Sequence, residues 1–410
     1  LRPNRSMLAD LVVGCALAVL VGGFAAYLWS LTGARIPQDP DYFNADFDRI
    51  TRNYLDPLSS FHRLNVHPLF GLVCIAFQHL FAGATDMRRP FQLLSAFNGA
   101  AFALTLYACL RTWDCRRLAA AAAVLFGAAF GSFIYWAGMP EEHFLGGLTV
   151  LGVFIMARRV PADPARRGLH SAAMFALAYS LTVTNAMAWL FAQVRYDSLL
   201  RRRIRAFLAE NIRRIPEHVL AVLAGLGIIA IGMAITWYGL YNRLMGRLLD
   251  IFREGKYVTA DTSAFYGGLH AVGLVSPELP LAWLVNLLAV AGLAVGVWRL
   301  RRGPIFIPLF GLFGFLLHCA YQRPLAFLFA PEYGPAVAAS LALTLCAIAP
   351  RAAPAALLAA TLGLGAANFE AYRQTLATDA PRTLPLASYG LVQPAPRSIP
   401  PLPPGILRTP

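Results

Sequence analysis

Charge is what this 410-residue chain has least of. Only 14% of its residues are Asp, Glu, Lys or Arg, against about 25% in a soluble domain, while 58% are hydrophobic. That shortage excludes a soluble globular enzyme and a disordered chain. Cysteine is sparse as well. Cys15, Cys74, Cys109, Cys115, Cys319 and Cys346 fall singly, mostly in apolar runs, with no CxxC pair and no Cys/His metal spacing, so a disulfide-stapled module is excluded too. Lysine is almost missing: Lys256 is the one lysine among 35 basic residues. That arginine bias, with abundant Ala, Pro and Gly, fits a GC-rich bacterial genome. No internal repeat is visible, which weakens a transporter built from repeated halves.

What the chain has in quantity is long apolar stretches. A spanning helix needs about 20 mostly apolar residues. Segments 8–30, 92–111, 117–137, 142–158, 217–240, 281–299, 304–321, 332–349 and 353–371 meet that need. The first is too long, and lacks the small-residue cleavage site, for a removed signal peptide. Segment 68–84 is short and carries Gln78 and His79. Segment 169–198 is too long for one span and is interrupted by Thr182, Thr184 and Asn185.

Basic residues decide both ambiguities, because short cytoplasmic loops collect Arg and Lys. The basic loops are at Arg111/Arg116/Arg117, Arg158 to Arg167, Arg195 to Arg214, and Arg299 to Arg302. All lie on one side if 68–84 stays in the interface or re-enters, and if 169–198 crosses twice as two short helices meeting near Asn185. The expectation is an all-α polytopic membrane protein with about eleven spans, its N-terminus cytoplasmic. One membrane domain covers 1–372, with external loops 31–91 and 241–280, and a Pro-rich external tail covers 373–410. The whole net charge of +14 then falls on cytoplasmic segments. It is a topological charge, which removes a nucleic-acid reading and leaves the lipid bilayer as the partner of the basic run 195–214.

Three external features could carry chemistry. The first loop holds Asp39, Asp41, Asp46, Asp48 and Asp56 with Arg49, Arg52, Arg63, His62 and His67. A solvated polar loop explains any single one of these acids; the cluster, held against the bilayer by 68–84, is harder to explain that way. The second feature is Pro140-Glu141-Glu142-His143, where one span ends and the next begins. Pro140 suits the first turn of the new helix, and the acids suit its positive end. Carboxylates at membrane depth are costly, and the alternative is that one faces a cavity shared with the first loop. The third feature is Arg88 and Arg89 before a span and Arg323 in a late external turn. The arginine fork suits phosphate oxygens, although snorkelling alone explains any one of them. His170 and His318 read as packed helix residues, and Thr184-Asn185 as groups that satisfy backbone freed at the helix break.

The order of these stations resembles the membrane-embedded GT-C glycosyltransferases, especially the protein O-mannosyltransferase and aminoarabinose transferase type, and most of all poorly characterised bacterial members. The residues that carry the resemblance are Ala45-Asp46-Phe47-Asp48-Arg49, Val66-His67-Pro68-Leu69-Phe70, Arg88/Arg89, Pro140-Glu141 and Leu181 to Asn185. It covers roughly residues 8–200. It departs at Arg323 to Leu328, where such relatives often carry an acid before an FLxS-like stretch and this chain has none.

The resemblance implies a GT-C-like fold in a bacterial inner membrane with a periplasmic active face. It implies transfer of a sugar from a polyprenyl-phosphate donor to an acceptor hydroxyl on a lipid, glycan or protein, with inversion. Asp46 would be the general base, Asp48 and Asp41 its fallbacks, and Glu141 would hold the acceptor or orient the loop. Arg49, Arg63, His62, His67, Arg88, Arg89, Glu142, Asn185, Lys256 and Arg323 would contact substrate. The acid spacing is compatible with a divalent cation but does not demand one. The competing readings are a transporter or flippase of a lipid-linked saccharide and a non-catalytic membrane relative.

Overall fold

A computed structural model describes residues 5–38, 46–55, 66–84, 86–196, 203–235, 264–320, 327–379 and 383–389. Asp39, Asp41, Asp56, His62, Arg63, Lys256, Arg323 and the Pro-rich stretch 390–410 therefore lie outside the described residues.

The chain is helical almost throughout, as its apolar runs dictate. In order the helices are α1 (Arg5–Leu31), α2 (Phe47–Leu55), α3 (Phe70–Leu80), α4 (Arg88–Thr112), α5 (Arg117–Ala128), α6 (Gly131–Trp136), α7 (Glu142–Ala157), α8 (Pro164–Leu181) and α9 (Ala186–Gln193). They continue as α10 (Ile204–Ile212), α11 (Ile215–Ile235), α12 (Ala264–Val272), α13 (Ala282–Arg299), α14 (Phe306–Ala320), α15 (Ala330–Ile348) and α16 (Ala353–Asp379). Among the described residues, α1, α4, α11, α13 and α15 are long and apolar enough to cross a membrane, and α3, α5, α7 and α14 are shorter apolar helices. This is a helical membrane protein.

Helix α15 is the axis of the body. The apolar window it anchors is 72% buried, against 17% for α11, which presents its side chains outward on α8. Around α15 stand α5, α7, α13 and α14, with α16 against α5. Helix α1 runs antiparallel to α4. Asp10 meets Arg111 at one end, and Trp29 donates its indole N–H to the Arg88 carbonyl at the other. Their backbones touch at Gly99, where a Cβ would lie 2.6 Å from the Val21 carbonyl oxygen. Small residues at such crossings are the usual membrane solution. At the Asp10 end, Tyr107, Arg111 and Arg117 all donate to that one carboxylate, at 2.9, 3.0 and 2.8 Å. Two of the arginines expected to mark a basic loop are thus also struts between α1, α4 and α5.

Two helices are broken, and protein satisfies the freed backbone at each break. The stretch expected as one span over 117–137 divides at Phe130, whose extended backbone separates α5 from α6. Gly131 and Ser132 donate their N–H groups to the carbonyls of Leu274 and Gly273, both at 2.9 Å. Asn368 of α16 donates to the carbonyls of Ala129 and Leu274. The second break falls at Thr182, also extended, between α8 and a 3-10 turn at Val183–Asn185. Here the partner is segment 66–69. Val183 donates to the Val66 carbonyl at 3.1 Å, and Leu69 donates to the Ser180 carbonyl at 2.7 Å. Irregular backbone at membrane depth is tolerated when protein meets its hydrogen bonds in this way.

Segment 68–84 forms α3, of 11 residues, far short of a span. The last helix continues to Asp379, past the boundary at 372 set by hydropathy. A short strand at Leu384–Pro385 pairs antiparallel with Arg35–Ile36, tying the end of α16 to the end of α1. At that same end the N-termini of α4, α7 and α15 gather.

Candidate functional site

Helix α2 is amphipathic. It buries Phe47, Ile50, Thr51, Asn53 and Tyr54. Tyr54 packs edge-on against Phe70 and Phe77 of α3 and against Phe91 of α4, at ring separations of 5.4, 5.0 and 5.9 Å. Phe47 contacts Trp136 of α6. These contacts fix which face of α2 looks inward. Asp46 and Arg49, three residues apart, share one side. Asp48 lies on another side, where it pairs with Arg52 at 3.0 Å with both side chains half exposed and receives the Tyr389 hydroxyl.

Arg49 joins the first loop to the corner before α7. Its Nε donates to Asp46 Oδ2 at 3.1 Å, and its Nη2 donates to Glu142 Oε1 at 2.5 Å. Glu142 is fully buried, whereas the Asp46 side chain is 30% exposed. Burial pulls the Arg49 guanidinium down, but the Glu142 carboxylate more than reverses this and holds it above its ordinary value.

His67 reaches the same carboxylate from the segment that repairs the second helix break. Its Nε2 lies 3.0 Å from Glu142 Oε1, and its Nδ1 donates to the Leu181 carbonyl at 2.7 Å. Burial lowers the His67 pKa to about 4, against the opposing pull of Glu142. Beside it stands His143, ring centroids 5.4 Å apart. His143 Nδ1 bonds Glu332 Oε1, and its Nε2 lies 3.6 Å from Glu141 Oε1. Glu332 also accepts the Thr184 hydroxyl at 3.3 Å. Glu141 is buried; burial, then the charge of Glu142, pushes its pKa up.

Two helix starts bring the glutamates of this cluster together. Glu141 is the residue before α7, Glu142 is in its first turn, and Glu332 is in the first turn of α15, so the positive ends of both helices face the acids. Pro140 falls before the helix rather than in its first turn as expected, because Glu141 holds an extended backbone at the cap. Helices α7 and α15 approach so closely that a Cβ on Gly147 would lie 2.3 Å from the Pro331 carbonyl oxygen. That closeness puts Glu332 within reach of His143.

No family model, curated protein or solved structure matches this chain. The cluster is therefore read on its own chemistry. Among the described residues it holds three buried glutamates, one partly exposed aspartate, one guanidinium and two buried imidazoles.

The structure thus brings together Asp46, Arg49, His67, Glu141 and Glu142. Asn185 is at the edge, buried, donating to the Gly146 carbonyl at 3.0 Å. Arg88 and Arg89 are exposed on the first turn of α4 and outside the cluster; Arg88 is bound by Asp86 at 2.6 Å. Thr184 and Asn185 do not repair the break as expected: segment 66–69 does, which leaves the Thr184 hydroxyl for Glu332. His170 bonds the Met156 carbonyl, and His318 is buried against Phe329 and Tyr333.

Two members were not expected from the sequence, His143 as a site residue and Glu332. A signal for Glu332 exists. Pro331-Glu332 repeats the Pro140-Glu141 dipeptide at the head of a later apolar run, and an acid there is costly unless used.

Proposed function

We propose that the protein is a GT-C-like membrane glycosyltransferase that moves a sugar from a polyprenyl-phosphate donor to an acceptor hydroxyl, working on the periplasmic face of a bacterial inner membrane with about eleven crossings. The observation that carries this reading is the Asp46–Arg49–Glu142 chain of ion pairs, which joins the first-loop acids to the ProGlu corner at one end of the bundle. The order of motifs along residues 8–200 is the second support.

Asp46 is the general base. Among the described residues it is the accessible carboxylate of the cluster, and a base must reach the proton it removes. Its carboxylate takes the acceptor O–H proton as the acceptor oxygen bonds to the anomeric carbon. The bond from that carbon to the phosphate oxygen breaks on the opposite side, and its electron pair leaves on the phosphate. One displacement inverts the anomeric centre. Arg49 and the buried glutamates hold Asp46 in place. Arg89, exposed at the head of α4, is the cation assigned to the lipid phosphate.

The test is Asp46→Asn in membranes supplied with a labelled polyprenyl-phosphate sugar. Transfer should fall by about 10²-fold or more while the donor still binds. Transfer at the wild-type rate would remove the base assignment. If the wild-type protein moves the intact donor across a vesicle without breaking the sugar–phosphate bond, the flippase reading replaces this one.

A further inference from the structure

We propose that His67 and His143, with Glu142 and Glu141, form a binding site for a first-row divalent transition metal ion.

The argument starts from the ring nitrogens. A carbonyl oxygen only accepts, so the His67 Nδ1 that faces Leu181 carries a proton. The His143 Nδ1 faces a Glu332 carboxylate and carries one as well. Each ring therefore turns its other nitrogen, Nε2, toward the same small volume. In a neutral ring that nitrogen is a lone pair, and it meets carboxylate oxygens: Glu142 Oε1 at 3.0 Å for His67 and Glu141 Oε1 at 3.6 Å for His143. A lone pair facing a carboxylate is repulsive, and either a second proton on the ring or a metal ion between the two removes the repulsion; the metal binds both rings at once.

The outer contacts have the form that metal sites use. A ligating histidine usually gives its other N–H to a carboxylate or a backbone carbonyl, which fixes the tautomer and the ring. Here one histidine has a backbone carbonyl and the other a buried carboxylate. The ligand atoms of His67, Glu142 and His143 lie within 4.8 Å of one another. Bonds of about 2.0–2.2 Å place neighbouring ligands roughly 3–4.5 Å apart, so closure needs only small side-chain shifts.

Unused valence points the same way. Among the described residues, Glu141 Oε2 and Glu142 Oε2 are buried with no hydrogen-bond partner, on side chains 1% and 0% exposed. Arg49 occupies Glu142 Oε1 and leaves Oε2 for the ion. The carboxyl groups of the cluster face a single guanidinium among the described residues, a setting in which a divalent ion adds compensating charge. Two imidazoles with carboxylates favour zinc, cobalt, manganese or iron over magnesium or calcium, which prefer oxygen alone.

The site is tested by binding, on resting full-length protein in detergent, so its failure is separate from any failure of the transfer reading. Chelator-stripped protein is titrated with Co²⁺, then with Zn²⁺. One equivalent of Co²⁺ should bind with visible ligand-field absorption, Zn²⁺ should displace it, and equimolar Mg²⁺ should not. Glu332→Gln should weaken binding by about 10–100-fold, the usual loss when an outer partner is removed. His67→Gln with His143→Gln should abolish it, with gel filtration confirming a folded protein. X-ray absorption of zinc-loaded wild-type protein should show imidazole scattering, and this reading stands even where the double variant fails to fold. Stripped wild-type protein that binds neither ion, sulfur scattering, or unchanged affinity in a folded double variant would overturn the site.

Discussion

Arg49 touches two carboxylates that lie 93 and 3 residues away in the chain, and its removal is the sharpest test of the cluster. Glu142 is fully buried and takes charge-assisted bonds from this guanidinium. Breaking a buried pair by deleting one partner costs about 3–5 kcal/mol, because the other charge stays in low dielectric without compensation. Arg49→Ala should therefore lower unfolding free energy by that order in a denaturant titration. Arg49→Lys should recover part of it, since lysine keeps the charge and loses the fork that spans Asp46 and Glu142 together. Stability of Arg49→Ala within about 0.5 kcal/mol of wild type would mean that the pair is not formed. Asp46, Arg49, His67 and the two glutamates of the corner were legible as residue types in the sequence. Their mutual partners were not, because hydrogen-bond geometry across 93 residues leaves no trace in local spacing.

Among elements, the cluster depends on how near two helix starts can come. Gly147 is the contact point of α7 with α15, and an added methyl there would meet backbone, which cannot step aside as a flexible side chain can. Gly147→Ala should destabilise the protein by about 1–3 kcal/mol as overpacking and push Glu332 away from His143. Gly168→Ala is the control. Its Cβ would meet nothing within 4 Å, and alanine favours the helix, so stability should hold or rise by up to about 1 kcal/mol. Thermal unfolding of the two variants side by side measures the difference; an equal response would rule out the close crossing. The breaks at Phe130 and Thr182 teach a related lesson. The polar run Thr182, Thr184, Asn185 announced the second. Nothing in the alanine-rich sequence 117–137 announced the first, because its backbone is satisfied by residues 273–274 and by Asn368, far along the chain.

For the whole molecule, the distribution of arginine makes a prediction about sidedness. Single cysteines placed at Ser60 and at Ser198, in a background without the native six, should be labelled from opposite faces of the membrane by an impermeant maleimide. Ser60 should react from outside intact cells and Ser198 only after the cytoplasmic face is exposed. Labelling of both from one face would break the eleven-span threading. The two ion-pair centres fit that axis: the Asp10 knot lies at the end where α4 finishes, and the Arg49 cluster at the end where α4 begins.

Composition by itself determined that this protein is a bundle of apolar helices in a membrane. Transferring so much hydrophobic surface from water is a bulk effect, additive over residues, and it is readable without knowing a single contact. The placement of arginine set the expectation of which segments cross, the expectation that the labelling experiment tests. Only the tertiary structure decided that His143 and Glu332 belong with Asp46, Arg49, His67, Glu141 and Glu142. A carboxylate or an imidazole takes its role from the few groups within about 3 Å of it, and those groups are supplied by the packing of distant helices.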